Sequence, residues 1–148
     1  MNSLPNRSNL NLHRVFVIDD QEEIRQFVAD ALAERGLNIE GFETAKTALA
    51  ALGCDHPAVI FLYVALLRSD ANDVLIGLGA QDYGGVVYLM SAGRAQLVEA
   101  VQRLGARHGV KLAPPLSKPI ERARLLQALD SVNDHIAALR PRRMASRA

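Results

Sequence analysis

Short apolar runs alternate with longer amphipathic stretches along this chain. Val15-Phe16-Val17-Ile18 is apolar at every position, the pattern of a strand buried on both faces. Residues 21–35 then place Ile24, Phe27, Val28, Ala31 and Leu32 on one helical face, and Gly36 supplies the stop. Leu37, Ile39 and Phe42 alternate with other residues as a short second strand, followed by an Ala-rich helix over 44–52 that Gly53 ends. Residues 58–63 predict a third strand. Residues 73–80 predict a weak helix, because Gly77 and Gly79 each cost about 1 kcal/mol relative to Ala. A fourth strand over 86–90, a helix over 94–107, a short fifth strand over 110–113 and a final helix over 119–139 complete the pattern. Leu125, Leu126, Leu129, Val132, Ile136 and Leu139 form the apolar stripe of that last helix.

Strand and helix thus alternate through five rounds, with no internal repeat and no interior linker. Such alternation predicts an α/β fold, a parallel sheet covered by helices on both faces. Right-handed crossovers leave few topologies. Ligands in such sheets bind beyond the carboxyl ends of the strands, where the strand order reverses. At that edge the sequence places Asp19 and Asp20 after the first strand, Tyr63 at the end of the third and Ser91 at the end of the fourth. Lys118 and Pro119 follow the fifth.

The segments Val-Phe-Val-Ile-Asp-Asp (15–20), Pro-Ala-Val-Ile-Phe-Leu-Tyr-Val (57–64), Val-Val-Tyr-Leu-Met-Ser-Ala (86–92) and Leu-Ser-Lys-Pro (116–119) carry a resemblance. In this order and spacing, the chain resembles the receiver domain of bacterial two-component response regulators over residues 14–139. The resemblance implies a flavodoxin-like, doubly wound sheet of five parallel strands in the order 2-1-3-4-5. It also implies that an acidic pair and an aspartate ending the third strand hold one Mg²⁺, and that this aspartate accepts a phosphoryl group. A hydroxyl after the fourth strand and a lysine before a proline then bind that group. Matched residue by residue, Asp19 and Asp20 are the acidic pair. Ser91 is the hydroxyl, Lys118 the lysine, and Pro119 the proline whose preceding bond is often cis in the family.

Tyr63 stands at the acceptor position and breaks the pattern. A phenol is neutral at pH 7, a poor ligand for Mg²⁺ and unable to form an acyl phosphate. The expectation is therefore a receiver without its phosphoacceptor: Mg²⁺ binding weak or lost, Asp20 a weak remaining metal candidate, no cofactor and no enzymatic activity. Pro115 stands three residues before the lysine, where the resemblance implies an aromatic residue that swings inward on activation, so that relay is altered too. Three functions follow as alternatives. The first is signalling by protein contact, with a histidine kinase, a phosphotransfer protein or another regulator as partner, and with a homodimer formed through the face of residues 94–139. The second is autophosphorylation on a substitute carboxylate, Asp20 or Asp70. The third is nucleic-acid binding through the tail.

Charge bears on the third. Residues 1–100 carry 7 Lys/Arg and 13 Asp/Glu, whereas residues 101–148 carry 10 and 3. Arg140, Arg142, Arg143 and Arg147 make residues 140–148 a basic tail without an acid, expected to be disordered. No aromatic residue interleaves with these arginines, which disfavours nucleic acid. Residues 1–13 are polar and Asn-rich, an expected disordered leader. No apolar run is long enough to span a membrane, no signal peptide opens the chain, and Cys54 is the single cysteine, so a cytoplasmic protein is expected. His13, His56, His108 and His135 lack ligand spacing for zinc, and no Walker pattern is present.

Overall fold

The computed structural model describes residues 10–66 and 70–138, with side chains through residue 132. The elements run β1 (Leu10–Ile18), α1 (Glu22–Leu32), β2 (Asn38–Phe42), α2 (Ala45–Ala50), β3 (His56–Tyr63) and α3 (Ala71–Ala80). They continue with β4 (Val86–Ser91), α4 (Ala95–Arg107), β5 (Lys111–Leu112), β6 (Leu116–Ser117) and α5 (Arg122–Ala138). All strand pairs are parallel, in the order β2-β1-β3-β4-β5, with β6 also on β4. This is the doubly wound, flavodoxin-like order 2-1-3-4-5. The fifth strand is interrupted. Lys111 and Leu112 pair with Val86 and Val87, Leu116 and Ser117 pair with Met90 and Ser91, and Pro114 and Pro115 lie between. A proline has no N–H to give the ladder, so the strand stops and resumes around the pair.

The uniformly apolar runs are explained by two cores, one on each face of the sheet. Val15 and Val17 of β1 pack with Val59, Phe61, Tyr88 and Met90 beneath α1 and α5, which add Val28, Leu32, Leu125, Leu129 and Val132. Phe16 and Ile18 point the other way, to Ile60, Leu62, Val87 and Leu89 beneath α2, α3 and α4. A strand whose successive side chains must fill two cores has no polar position to spare. The first helix closes with a 3₁₀ turn over Ala33–Arg35 and Gly36 at φ 68°, the left-handed stop its position predicts.

One boundary differs from expectation. Leu10 to His13 fall within the stretch expected to be a disordered leader, yet they belong to β1. Leu10 and Asn11 pair with His56 and Pro57, so β1 and β3 extend each other. Asn11 is held at both ends of its side chain: its Nδ2 donates to Asp55 at 2.9 Å, and its Oδ1 accepts from His13 N at 2.8 Å. Asn11, one of the asparagines that suggest disorder, stands at a register shift between Asn11 and Val15. The rest of the leader and the basic tail at 140–148 lie outside the described residues. No helix among the described residues is long and apolar enough to cross a membrane.

Candidate functional site

The ends of β1, β3 and β4 and the segment after β6 bring the predicted residues to one edge of the sheet. Asp19 follows β1 and is fully buried. Its N–H donates to Phe42 O at 3.0 Å, and its Oδ1 accepts from Gln21 N at 2.9 Å, which starts the turn into α1. Its other oxygen, Oδ2, lies 2.8 Å from Lys118 Nζ. That contact is an ion pair without the angle of a hydrogen bond, so the oxygen has a counter-charge but no directional donor. Asp20 is half-buried, and its Oδ1 is buried with no partner among the described residues.

Ser91 ends β4, buried, and its Oγ accepts from Arg94 N at 3.3 Å. Its carbonyl accepts from Lys118 N at 2.8 Å, which ties the lysine's main chain to the end of β4. Lys118 is thus fixed at both ends. Its side chain is only 10% exposed. The Lys118–Pro119 bond is cis, as the resemblance implies. Pro115 is exposed beside β6 and brings no ring to the site.

Tyr63 is the last residue of β3 and half-buried. Its ring faces the ammonium of Lys118, with Nζ 3.4 Å from the ring centroid, well inside the range for a cation–π contact. Asp55 precedes β3, at the opposite end of that strand, where its carboxylate accepts from Asn11. Tyr63 stands eight residues beyond Asp55, about 26 Å at the usual rise. Asp70 stands outside the cluster as well. It is exposed and caps α3, its carboxylate accepting from Asn72 N at 3.0 Å.

Two further residues join the site that sequence reasoning had not placed there. Gln21 Oε1 accepts from Lys118 Nζ at 3.1 Å. Arg25, one turn into α1, donates from Nη1 to Asp19 O at 2.7 Å. Its stem lies against Gly41, where a Cβ would come within 3.0 Å of Arg25 Cδ. Gln21 follows the acidic pair directly, and Arg25 lies four residues further on, so both were within reach of a helix-spacing argument. Gly41 opposite Arg25 carries no sequence signal, because their meeting depends on the packing of α1 over β2.

Chemically, the site offers one ammonium, one guanidinium, two carboxylates, one amide, one hydroxyl and one phenol. Among the described residues, no three His, Cys, Asp or Glu side chains gather as a metal-binding group.

A family model for the response regulator receiver domain matches residues 15–130. No curated protein matches the chain. Among solved structures, the receiver domain of NtrX from Brucella abortus is 26% identical, with a TM-score of 0.69 over 80% of this chain and 96% of that one. A response regulator from Colwellia psychrerythraea is 20% identical, with a TM-score of 0.71 over 84% and 99%. The signal receiver domain of an HD domain-containing protein from Pseudomonas fluorescens Pf-5 is 21% identical, with a TM-score of 0.72 over 82% and 94%. Against the longer NtrX chain crystallised with ADP, this chain spans 28% of that protein at 24% identity and a TM-score of 0.74. The match over residues 15–130 takes in the strand ends that gather Asp19, Ser91 and Lys118 at one edge of the sheet, and the chain belongs to the response regulator receiver domain family.

Proposed function

We propose that this receiver acts in two-component signal transduction by protein contact, independently of aspartate phosphorylation. The observation that carries the reading is Tyr63 at the end of β3, its ring 3.4 Å from the Lys118 ammonium, where acyl-phosphate chemistry needs a carboxylate. Phosphoryl transfer to such a domain depends on positioning and on charge neutralisation by a bound metal. Mg²⁺ wants a tight octahedron of oxygens. Here Asp19 already has Lys118 as counter-ion, β3 contributes a phenol, and Asp20 remains alone with a partnerless oxygen. The donor set does not fit Mg²⁺ well, so binding is weak or lost and the protein works without a cofactor. Asp55 cannot stand in, because it lies at the far end of β3.

The partner is a histidine kinase, a phosphotransfer protein or another regulator, in the cytoplasm. The contact face is that of α4 and α5. Glu99, Arg103, Glu121, Arg122, Arg124 and Gln127 are exposed there, and the same face serves for a homodimer. A stable interface would bury roughly 1,600 Å² in total. The role is that of a binding module, not an enzyme.

One observation favours a second reading. Asp20 Oδ1 is buried without a partner among the described residues, so Asp20 is the better placed of the two substitute acceptors; Asp70 is already engaged as a helix cap.

Fluorine NMR with beryllofluoride and Mg²⁺, a mimic of the aspartyl phosphate, tests the proposal. The wild-type protein should show no bound fluoride signal, and a Tyr63→Asp variant should show one. A bound signal in the wild type would overturn the reading.

A further inference from the structure

A lysine ammonium has three N–H donors and no acceptor. Three groups converge on that of Lys118: Asp19 Oδ2 at 2.8 Å, Gln21 Oε1 at 3.1 Å and the face of Tyr63 at 3.4 Å. They differ in kind. The carboxylate supplies the counter-charge, the amide oxygen a neutral acceptor, and the ring the negative face of its quadrupole. One donor is taken by Gln21 Oε1 in a hydrogen bond, Asp19 Oδ2 balances the charge and the ring of Tyr63 faces it, and the head group is nearly out of water at 10% side-chain exposure. We infer that Asp19, Gln21 and Tyr63 form a built-in cage that holds Lys118 where an external phosphoryl group would otherwise engage it, with Gln21 and Tyr63 as its positioning residues.

The cage has a mechanical consequence. Lys118 N donates to Ser91 O at 2.8 Å, and Ile120 is buried two residues later. The segment from β6 to the start of α5 is thereby pinned at the lysine head, at its main chain and at Ile120. Glu121, Arg122 and Arg124, exposed at that start, are presented in one fixed arrangement. A lysine with a free donor can follow a ligand; a caged one keeps the face as it is. The signalling meaning of this cage rests on the proposed function above, but its existence does not.

The test is the reactivity of the Lys118 amine, read by peptide mass spectrometry after limited acetylation with acetic anhydride, without phosphodonor or metal. The wild-type protein should label at Lys118 slowly, and Lys46, exposed on α2, serves as the internal reference. Tyr63→Leu and Gln21→Ala should each raise the Lys118 rate by about tenfold. Tyr63→Phe keeps the ring face and should leave it at the wild-type value, a rescue that a merely space-filling role for the hydroxyl-bearing side chain would not separate from Tyr63→Leu at this lysine alone. Gln21 is exposed, so Gln21→Ala should fold normally and keeps the test decisive if Tyr63→Leu does not. Hydrogen exchange over 116–125 should rise in the same two variants. Equal Lys118 rates in the wild type and Gln21→Ala, or a Tyr63→Phe rate as high as that of Tyr63→Leu, would overturn the cage. A wild type that binds beryllofluoride yet labels slowly would overturn the phosphorylation-independent reading and leave the cage standing.

Discussion

Replacing Tyr63 by aspartate should make the protein less stable and, at the same time, responsive to Mg²⁺. The ring lies 3.4 Å from Lys118 Nζ, which lies 2.8 Å from Asp19 Oδ2. A carboxylate in place of the ring therefore stands within about 6 Å of Asp19, where an effective dielectric constant of about 20 gives a repulsion of about 3 kcal/mol. Asp20, next in the chain, adds a similar repulsion, but Lys118 Nζ, 3.4 Å away, attracts the same carboxylate by about 5 kcal/mol on that scale, so about 1 kcal/mol of net repulsion remains. Loss of the cation–π contact adds about 1 kcal/mol. For a domain of this size, about 2 kcal/mol corresponds to a fall in melting temperature of about 5 °C. The new carboxylate also completes a three-carboxylate set for the metal. Mg²⁺ at about 100 times its Kd would then return about 2.7 kcal/mol, or about 7 °C. Thermal melts followed by circular dichroism, in EDTA and in Mg²⁺ at matched ionic strength, measure both effects. The wild type should melt at the same temperature in both solutions. A wild type stabilised by Mg²⁺ as much as the variant, or a variant as stable as the wild type in EDTA, would refute the reasoning.

Other parts of the molecule give independent tests. Arg14 holds both oxygens of Glu40, at 2.8 and 3.1 Å, and donates to the carbonyls of Ala51, Leu52 and Asp55; the Glu40 hydrogen bond raises its pKa. Arg14→Met leaves that carboxylate and those carbonyls without the fork, so urea unfolding should show a loss of about 3 kcal/mol, with Arg14→Lys in between. A Cβ at Gly85 would come within 2.6 Å of Ala58 O and collide with the Tyr83 hydroxyl, which donates to Pro57 O at 2.8 Å. Gly85→Ala should therefore cost about 2 kcal/mol or more in the same assay. Burial raises the Tyr83 phenol well above its ordinary 10.0. The folded state then holds this proton more tightly than the unfolded one, so the contribution is constant below about pH 10 and lost as the pH rises from there towards the folded-state value. Unfolding at pH 9, 10 and 11 should show stability falling in the wild type and falling less in Tyr83→Phe.

Much of the fold was legible because its strands serve two cores. Val15, Val17 and Phe16, Ile18 divide between opposite faces, and that demand writes a continuous apolar run into the chain. The helices were legible by period, and their ends where a glycine stops them, as Gly36 does. Leu10 to His13 were not legible as strand. Their order depends on partners more than forty residues away, Asp55 and His56, which composition cannot reveal. The interruption of the fifth strand was present in Pro114 and Pro115, but that the chain rejoins β4 at Leu116 depends on the register with Met90. The gathering of Asp19, Ser91 and Lys118 at one edge followed from the alternation of elements together with the family resemblance. The contacts of Lys118 with Gln21 and with the face of Tyr63 did not, because they depend on side-chain directions that spacing leaves open.

The central claim is that this receiver takes no phosphoryl group on an aspartate. The most direct measurement is the intact mass of the protein after incubation with acetyl phosphate and Mg²⁺, beside the Tyr63→Asp variant. The account predicts an unchanged mass for the wild type and one added phosphoryl group for the variant. A phosphoryl group on the wild type would contradict it, and peptide mapping would then show whether Asp20, Asp70 or another side chain had accepted it.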